Sequence, residues 1–95
     1  MTTFAEFESA ERAAGADAVI ERQWAPLTVL DTHTHPFAAR ALVVQGELWL
    51  AVDRDGQHGA ERRLGPGDRF ELARDVPHRE RYGPEGATYW VARKA

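Results

Sequence analysis

The chain has no cysteine, a single methionine and no long apolar run. Without thiols, disulfides and thiolate chemistry are excluded, which fits the reducing cytoplasm expected for this protein. No stretch approaches the ~20 apolar residues of a membrane span, so no membrane partner is expected. The segment Met1-Thr2-Thr3-Phe4-Ala5-Glu6 has neither a basic n-region nor an apolar h-region, so export is not indicated. Blocks of like charge are missing too. Net charge is −3, and Arg62, Arg63, Arg69, Arg74, Arg79 and Arg81 are interleaved with acids or apolar residues. That leaves no basic stripe of the kind nucleic acid needs. Repeats, linkers and low-complexity segments are also lacking. Ninety-five residues make one domain with one small core. Such a domain buries roughly 65% of the surface its unfolded chain exposes, so a metal or a partner subunit would add usefully to its stability.

What is there begins with a helix. Thr3-Phe4-Ala5-Glu6 has the form of a capping box, with Thr3 as N-cap and Glu6 reaching back. Phe4, Phe7, Ala10 and Ala14 recur at helical spacing as a narrow apolar stripe, and Gly15 is a natural C-terminal stop. No second helix is expected. From Asp17 onward, short segments with Val, Leu, Trp or Tyr alternate with turn residues. Strands are expected near 17–24, 27–35, 39–45, 47–53, 59–64, 69–72, 77–82 and 87–93. Asp55-Gly56 is a hairpin signal. Gly65-Pro66-Gly67-Asp68 and Gly83-Pro84-Glu85-Gly86 are turns by composition. Many short strands with regular turns indicate an all-β sandwich or barrel.

Strand parity sorts the side chains further. Leu48, Leu50 and Val52 share one face, which looks like core. Trp49 and Ala51 share the other, so Trp49 is half-covered or at an interface. Trp24, Trp49 and Trp90 suit core or dimer surface better than ligand stacking.

The histidines carry the chemistry. His33 and His35 lie two apart in Asp31-Thr32-His33-Thr34-His35-Pro36, and His78 follows in Asp75-Val76-Pro77-His78. In an extended strand, residues two apart project from the same face, so the two imidazoles lie close together and make half of a metal site. His78 completes it if the fold brings it across. Ala39, Ala41 and Val43 share the parity of His33 and His35 if Pro36 introduces no bulge, and Arg40 and Leu42 then face the other way. His58 beside the Asp55-Gly56 turn reads as a solvated loop histidine.

Taken together, His33-Thr34-His35 with Gly46, and Gly67 with His78, resemble the two motifs of the cupin family. The first motif runs His-x-His, three or four residues, Glu, six residues, Gly. The second begins at a Gly and reaches a His eleven residues later. The resemblance covers residues 17–93 and looks closest to small single-domain bacterial cupins with a short N-terminal helix. It implies an all-β fold: a double-stranded jelly-roll β-barrel over 17–95, with the helix of 1–16 packed on it. It also implies a metal inside the barrel. That metal is one divalent transition ion (Zn, Fe, Ni, Mn or Cu) on His33, His35 and His78. The sequence departs from the pattern where the motif glutamate falls on Ala39. The expected Pro, Gly and Asn fall on Ala73, Asp75 and Tyr82.

Three neutral imidazoles without a carboxylate leave the charge of a dication uncompensated. Open positions would be filled by water or by an anionic, chelating ligand. Ligand-pocket candidates are Ala39, Val43, Glu80, Tyr82 and Arg40. Glu80 and Tyr82 share the parity of His78; Glu80 is a substitute carboxylate near the metal or a salt-bridge residue, and Tyr82 a cavity or core residue. Arg40 is a surface residue or an anion clamp. Three functions stay open: a small-ligand binding or sensing module, a three-histidine enzyme (a dioxygenase, isomerase or hydrolase), and a metal-free structural cupin. The similar proteins commonly dimerise, so a homodimer is expected, with the 17–24 strand or Trp49 at the contact.

Overall fold

The computed structural model describes residues 2–53, 57 and 59–95. The Asp55-Gly56 hairpin signal and His58 lie outside the described residues. Helix α1 (Phe4–Ala13) starts with the expected capping box: the Thr3 hydroxyl accepts from the Glu6 N–H, and the Glu6 carboxylate accepts from the Thr3 N–H at 3.0 Å. It ends in a Schellman arrangement. Gly15 takes φ +105°, its N–H donates to Arg12 O, and the Ala16 N–H donates to Glu11 O.

Six strands follow: β1 (Ala18–Trp24), β2 (Val29–His33), β3 (Ala38–Val52), β4 (Arg62–Leu64), β5 (Arg69–Leu72) and β6 (His78–Lys94). Four of the expected short strands are thus halves of two long ones. Segments 39–45 and 47–53 run together as β3, and 77–82 and 87–93 as β6. Each long strand belongs to two layers. The first half of β3 and the second half of β6 pair with each other and with β5 and β1. The second half of β3 and the first half of β6 pair with each other and with β4 and β2. This is a double-sheet jelly roll. Its hydrogen-bonded path ends at β1 and β4, so the sheet does not close into a complete barrel.

The Gly83-Pro84-Glu85-Gly86 segment is not a chain-reversing turn but the corner of β6. Pairing jumps from Tyr82↔Leu48 to Ala87↔Gly46, so residues 83–86 all stand opposite Glu47. Extra residues on one strand bend it sharply. At this corner the strands nearly touch. A Cβ on Gly46 would sit 2.1 Å from Gly86 O, and one on Gly86 would sit 2.1 Å from Trp24 O. Both residues also take positive φ, at +76° and +70°, so glycine is required twice over.

Leu48, Leu64 and Val43 are fully buried between the layers, among Leu50, Phe70, Leu72, Tyr82, Tyr89 and Val91. Full burial of each such leucine contributes about 1.5–3 kcal/mol. The helix covers the outside. Phe7 packs with Val19, Leu42 and Ala92, and Phe4 meets Trp90 edge-on at 5.6 Å. Trp90 is thereby part of the helix seat. Trp49 is half-buried under the Arg81 guanidinium, 4.0 Å from its ring.

Candidate metal centre

His33 and His78 are register partners across β2 and β6, which sets their rings 4.3 Å apart. His35 lies just past the end of β2, not within a strand reaching 35 as the sequence suggested. The pairing is also irregular between Leu30 and His33. The loop nevertheless brings the His35 ring to 5.0 Å from His33 and 4.9 Å from His78. His35 stacks on Phe37, and its carbonyl accepts the Asp75 N–H at 2.9 Å. Asp75 stands where the cupin pattern has glycine and takes φ +60°, a left-handed conformation that Asp tolerates better than most residues. One nitrogen from each of the three histidines falls within 4.8 Å of the others.

Hydrogen bonds orient two of the rings. His33 Nδ1 is 2.7 Å from Asp31 O, and His78 Nδ1 is 2.9 Å from Val76 O. A carbonyl only accepts, so in both rings Nδ1 carries the hydrogen and Nε2 is left with its lone pair. His78 is 1% exposed, and its Nε2 has no hydrogen-bond partner. An orphaned buried lone pair beside two more imidazoles suits a transition metal, which binds neutral imidazole and gains from such outer hydrogen bonds.

The pKa shifts follow from this crowding. Burial, then the neighbouring His78 and His33, push His35 down. Burial also opposes charge on His78, but the Glu80 carboxylate and the Val76 carbonyl outweigh it and raise the value. Burial works against the Glu80 anion, yet His78 and the Tyr82 hydroxyl hold its carboxyl below the usual range. Burial raises Tyr82 and Tyr89, which remain neutral phenols.

Beside His33 and His35 opens a cavity of about 90 Å³, room for about three waters, with a largely apolar wall that includes Trp24, Leu30, Ala39, Phe70 and Val91. Of the sequence candidates, Ala39 and Glu80 line it. Tyr82 lies behind Glu80, stacked on Trp24, with its hydroxyl donating to the Glu80 carboxylate. Val43 is fully buried in the core, off the cavity wall. Arg40 is on the opposite face of β3, as parity required. Its Nε pairs with the buried Glu11 at 3.0 Å and with Glu71 at 3.5 Å, tying the helix to the sheet. It therefore does not serve as a clamp in this cavity.

The sequence reading missed four contributors. Arg22 and Arg93 line the cavity, and Arg93 lies 4.6 Å over the Phe37 ring with its buried Nε unpartnered. Their signal was strand pairing, β1 with β6 for Arg22 and β6 with β3 for Arg93, which single-strand parity does not supply. Asp53 and Thr32 hold β2 from outside. Thr32 donates to Asp53 Oδ2 at 2.6 Å, and Asp53 Oδ1 takes the Gly59 N–H and the Arg79 guanidinium. Trp24 packs against the core, as expected, and also borders the cavity.

Neither a family model nor a curated protein matches the sequence. Solved structures do. An oxalate oxidase matches with TM-score 0.70 and 22% identity, covering 81% of this chain and 41% of its own. An oxalate decarboxylase variant from Bacillus subtilis matches with TM-score 0.72 and 18% identity over 98% of this chain. The chain has the cupin fold. It spans only 24% of that decarboxylase. A third match is CENP-C of Drosophila melanogaster bound to CAL1, with TM-score 0.68 and 15% identity, covering 80% of this chain and 64% of its own. The cupin fold thus accommodates both enzymes and a protein-binding domain, and at these identities the likeness establishes architecture alone.

Proposed function

We propose that this protein is a metal-binding cupin. One divalent transition metal sits on the Nε2 atoms of His33 and His78 and on His35, and a small anionic, oxygen-donor ligand is bound or sensed at the open positions. The observation that carries this reading is the buried Nε2 of His78, which makes no hydrogen bond and lies beside two further imidazoles. The cavity supports the choice of ligand. It holds only a few heavy atoms, and two arginines, Arg22 and Arg93, line the same cavity as His33 and His35. Oxalate oxidase and oxalate decarboxylase act, by their names, on a small dicarboxylate, which agrees with a chelating anion as the ligand class. We also propose a homodimer, built on the open edge of β1.

Metal analysis of the purified protein is the first test. The reading requires one equivalent of transition metal, lost in His35→Ala. Titration of the metal-loaded protein with glycolate or formate should change its spectrum. Oxygen uptake in the same titration would assign an enzyme rather than a binding module. Protein free of metal after incubation with zinc, iron, nickel, manganese and copper would leave a structural cupin instead.

A further inference from the structure

We propose that Glu80 is a fourth ligand of the metal centre and restores, from β6, the carboxylate that position 39 lacks. This rests on the metal-binding reading above and adds a donor to it. Glu80 is 6% exposed and is the one acid among the described cavity-lining residues. A carboxylate buried among apolar side chains is costly unless each oxygen finds a partner. Oε2 has one, the Tyr82 hydroxyl. Oε1 faces His78 Nε2 at 3.5 Å, too far for a well-formed hydrogen bond.

With His78 Nδ1–H already donating to Val76 O, a neutral His78 turns a lone pair toward an anion. Two acceptors facing each other need a cation between them, either a proton or a metal. The spacing suits a metal. Two donor atoms each ~2.1 Å from one ion lie about 3.0–3.4 Å apart, between octahedral and tetrahedral geometry. Side-chain direction agrees as well. His78 and Glu80 alternate with Arg79 on β6 and so share its inner face, and across β2 they stand opposite His33 and Leu30.

His33, His78 and Glu80 then share one construction. Each is held from behind by a single hydrogen bond: His33 donates to Asp31 O, His78 donates to Val76 O, and Glu80 accepts from the Tyr82 hydroxyl, and each offers its other polar atom inward. Glu80 compensates one unit of the metal's charge. On an octahedral ion, four protein donors leave two positions, enough for one bidentate anion.

The test uses cobalt(II) alone, titrated into the wild type, Glu80→Gln, Tyr82→Phe and Glu80→Gln/Ala39→Glu, and read by visible absorption. Near-UV circular dichroism of the metal-free proteins checks the fold. In Glu80→Gln, affinity should fall tenfold or more and the cobalt bands should shift. The added Ala39→Glu should recover affinity by supplying a carboxylate from the other wall. Tyr82→Phe keeps the ligand but frees its orientation, so a smaller fall, about threefold, is expected. Wild-type affinity and an unchanged spectrum in Glu80→Gln would overturn the assignment. Should Glu80→Gln not fold, wild-type affinity in Tyr82→Phe would do the same. Failure of the wild type itself to bind cobalt would instead sink the three-histidine reading.

Discussion

Thr32 donates its hydroxyl to Asp53 across 2.6 Å, joining the residue next to His33 to the end of β3. The Asp53 N–H donates to Pro77 O, just before His78. Asp53 therefore ties down both strand ends that carry ligands, holding Thr32 and Arg79 through its side chain and Pro77 through its backbone. Its hydrogen bonds from Thr32, Arg79 and Gly59 outweigh burial and hold its carboxyl at about 2. A depressed carboxyl stabilises the fold fully above the unfolded value, ~3.9, and loses that contribution as pH falls toward its folded value. Asp53→Ala should lower the melting temperature at neutral pH, and the difference from wild type should vanish between about pH 4 and pH 2. It should also weaken metal binding about tenfold through misplaced His33 and His78. Melting curves and metal titration of the variant check both statements.

His78 gives the metal-free protein an opposite pH dependence. Its raised value reflects charge pairing with Glu80 against the cost of burial. That contribution is complete below the unfolded value, ~6.5, and is lost as pH rises through the folded one. Metal requires the neutral ring, so its stabilisation grows over the same window. His35, pushed down, is already neutral there and does not limit binding. Metal-free protein should melt lower as pH rises above about 6.5, and the increment from added zinc should widen. An increment that is flat or shrinks over this range would count against His78 as a ligand.

Why some of this was visible in the sequence and some was not has a local explanation. The capping box of Thr3 and Glu6, the strand parity of Leu48 and Leu50, and the histidine spacing are short-range patterns written within a few residues. Periodicity gave only an all-β sandwich or barrel; the jelly roll was what the resemblance of His33, His35, Gly46, Gly67 and His78 to the cupin motifs implied. Long-range pairing decided the rest. Glycine and proline at 83–86 signal a turn in any local scheme, but opposite Glu47 they form a corner within β6. Arg93 reaches the cavity because β6 pairs with β3 so that it lies across from Ala39, a register no single strand encodes. Glu11, on the helix, is buried because Arg40 waits on the sheet.

The proposed dimer has a concrete surface. Among the described residues β1 pairs only with β6, so its outer backbone groups are open to a second copy. Leu27, between β1 and β2, and Val29, the first residue of β2, are 69% and 67% exposed. Leu27 also takes φ +59°, an unusual conformation for leucine. Trp49, with its ring under Arg81, is the lesser candidate. Sedimentation at micromolar concentration should give twice the chain mass, and Leu27→Asp/Val29→Lys should shift it toward the monomer. A wild-type monomer would end this proposal.

Position 39 offers the sharpest test of the open site. Ala39 is 6% exposed, borders the cavity, and sits in regular register opposite Arg93 and Leu72, so no bulge after Pro36 turns it away. In Ala39→Glu, the new carboxylate enters a space of about 90 Å³ next to the histidines. Burying it costs the metal-free protein several kcal/mol, lessened by the guanidinium of Arg93 across the ladder. Once a dication is present the cost reverses, because the carboxylate compensates charge and fills an open position. Metal affinity should rise tenfold or more, while glycolate or formate binding to the metal-loaded protein should fall, since both compete for one coordination site. Calorimetric titration of metal and then of the anion reads the two effects separately. Affinities for both that match the wild type would mean that a carboxylate at position 39 does not reach the metal.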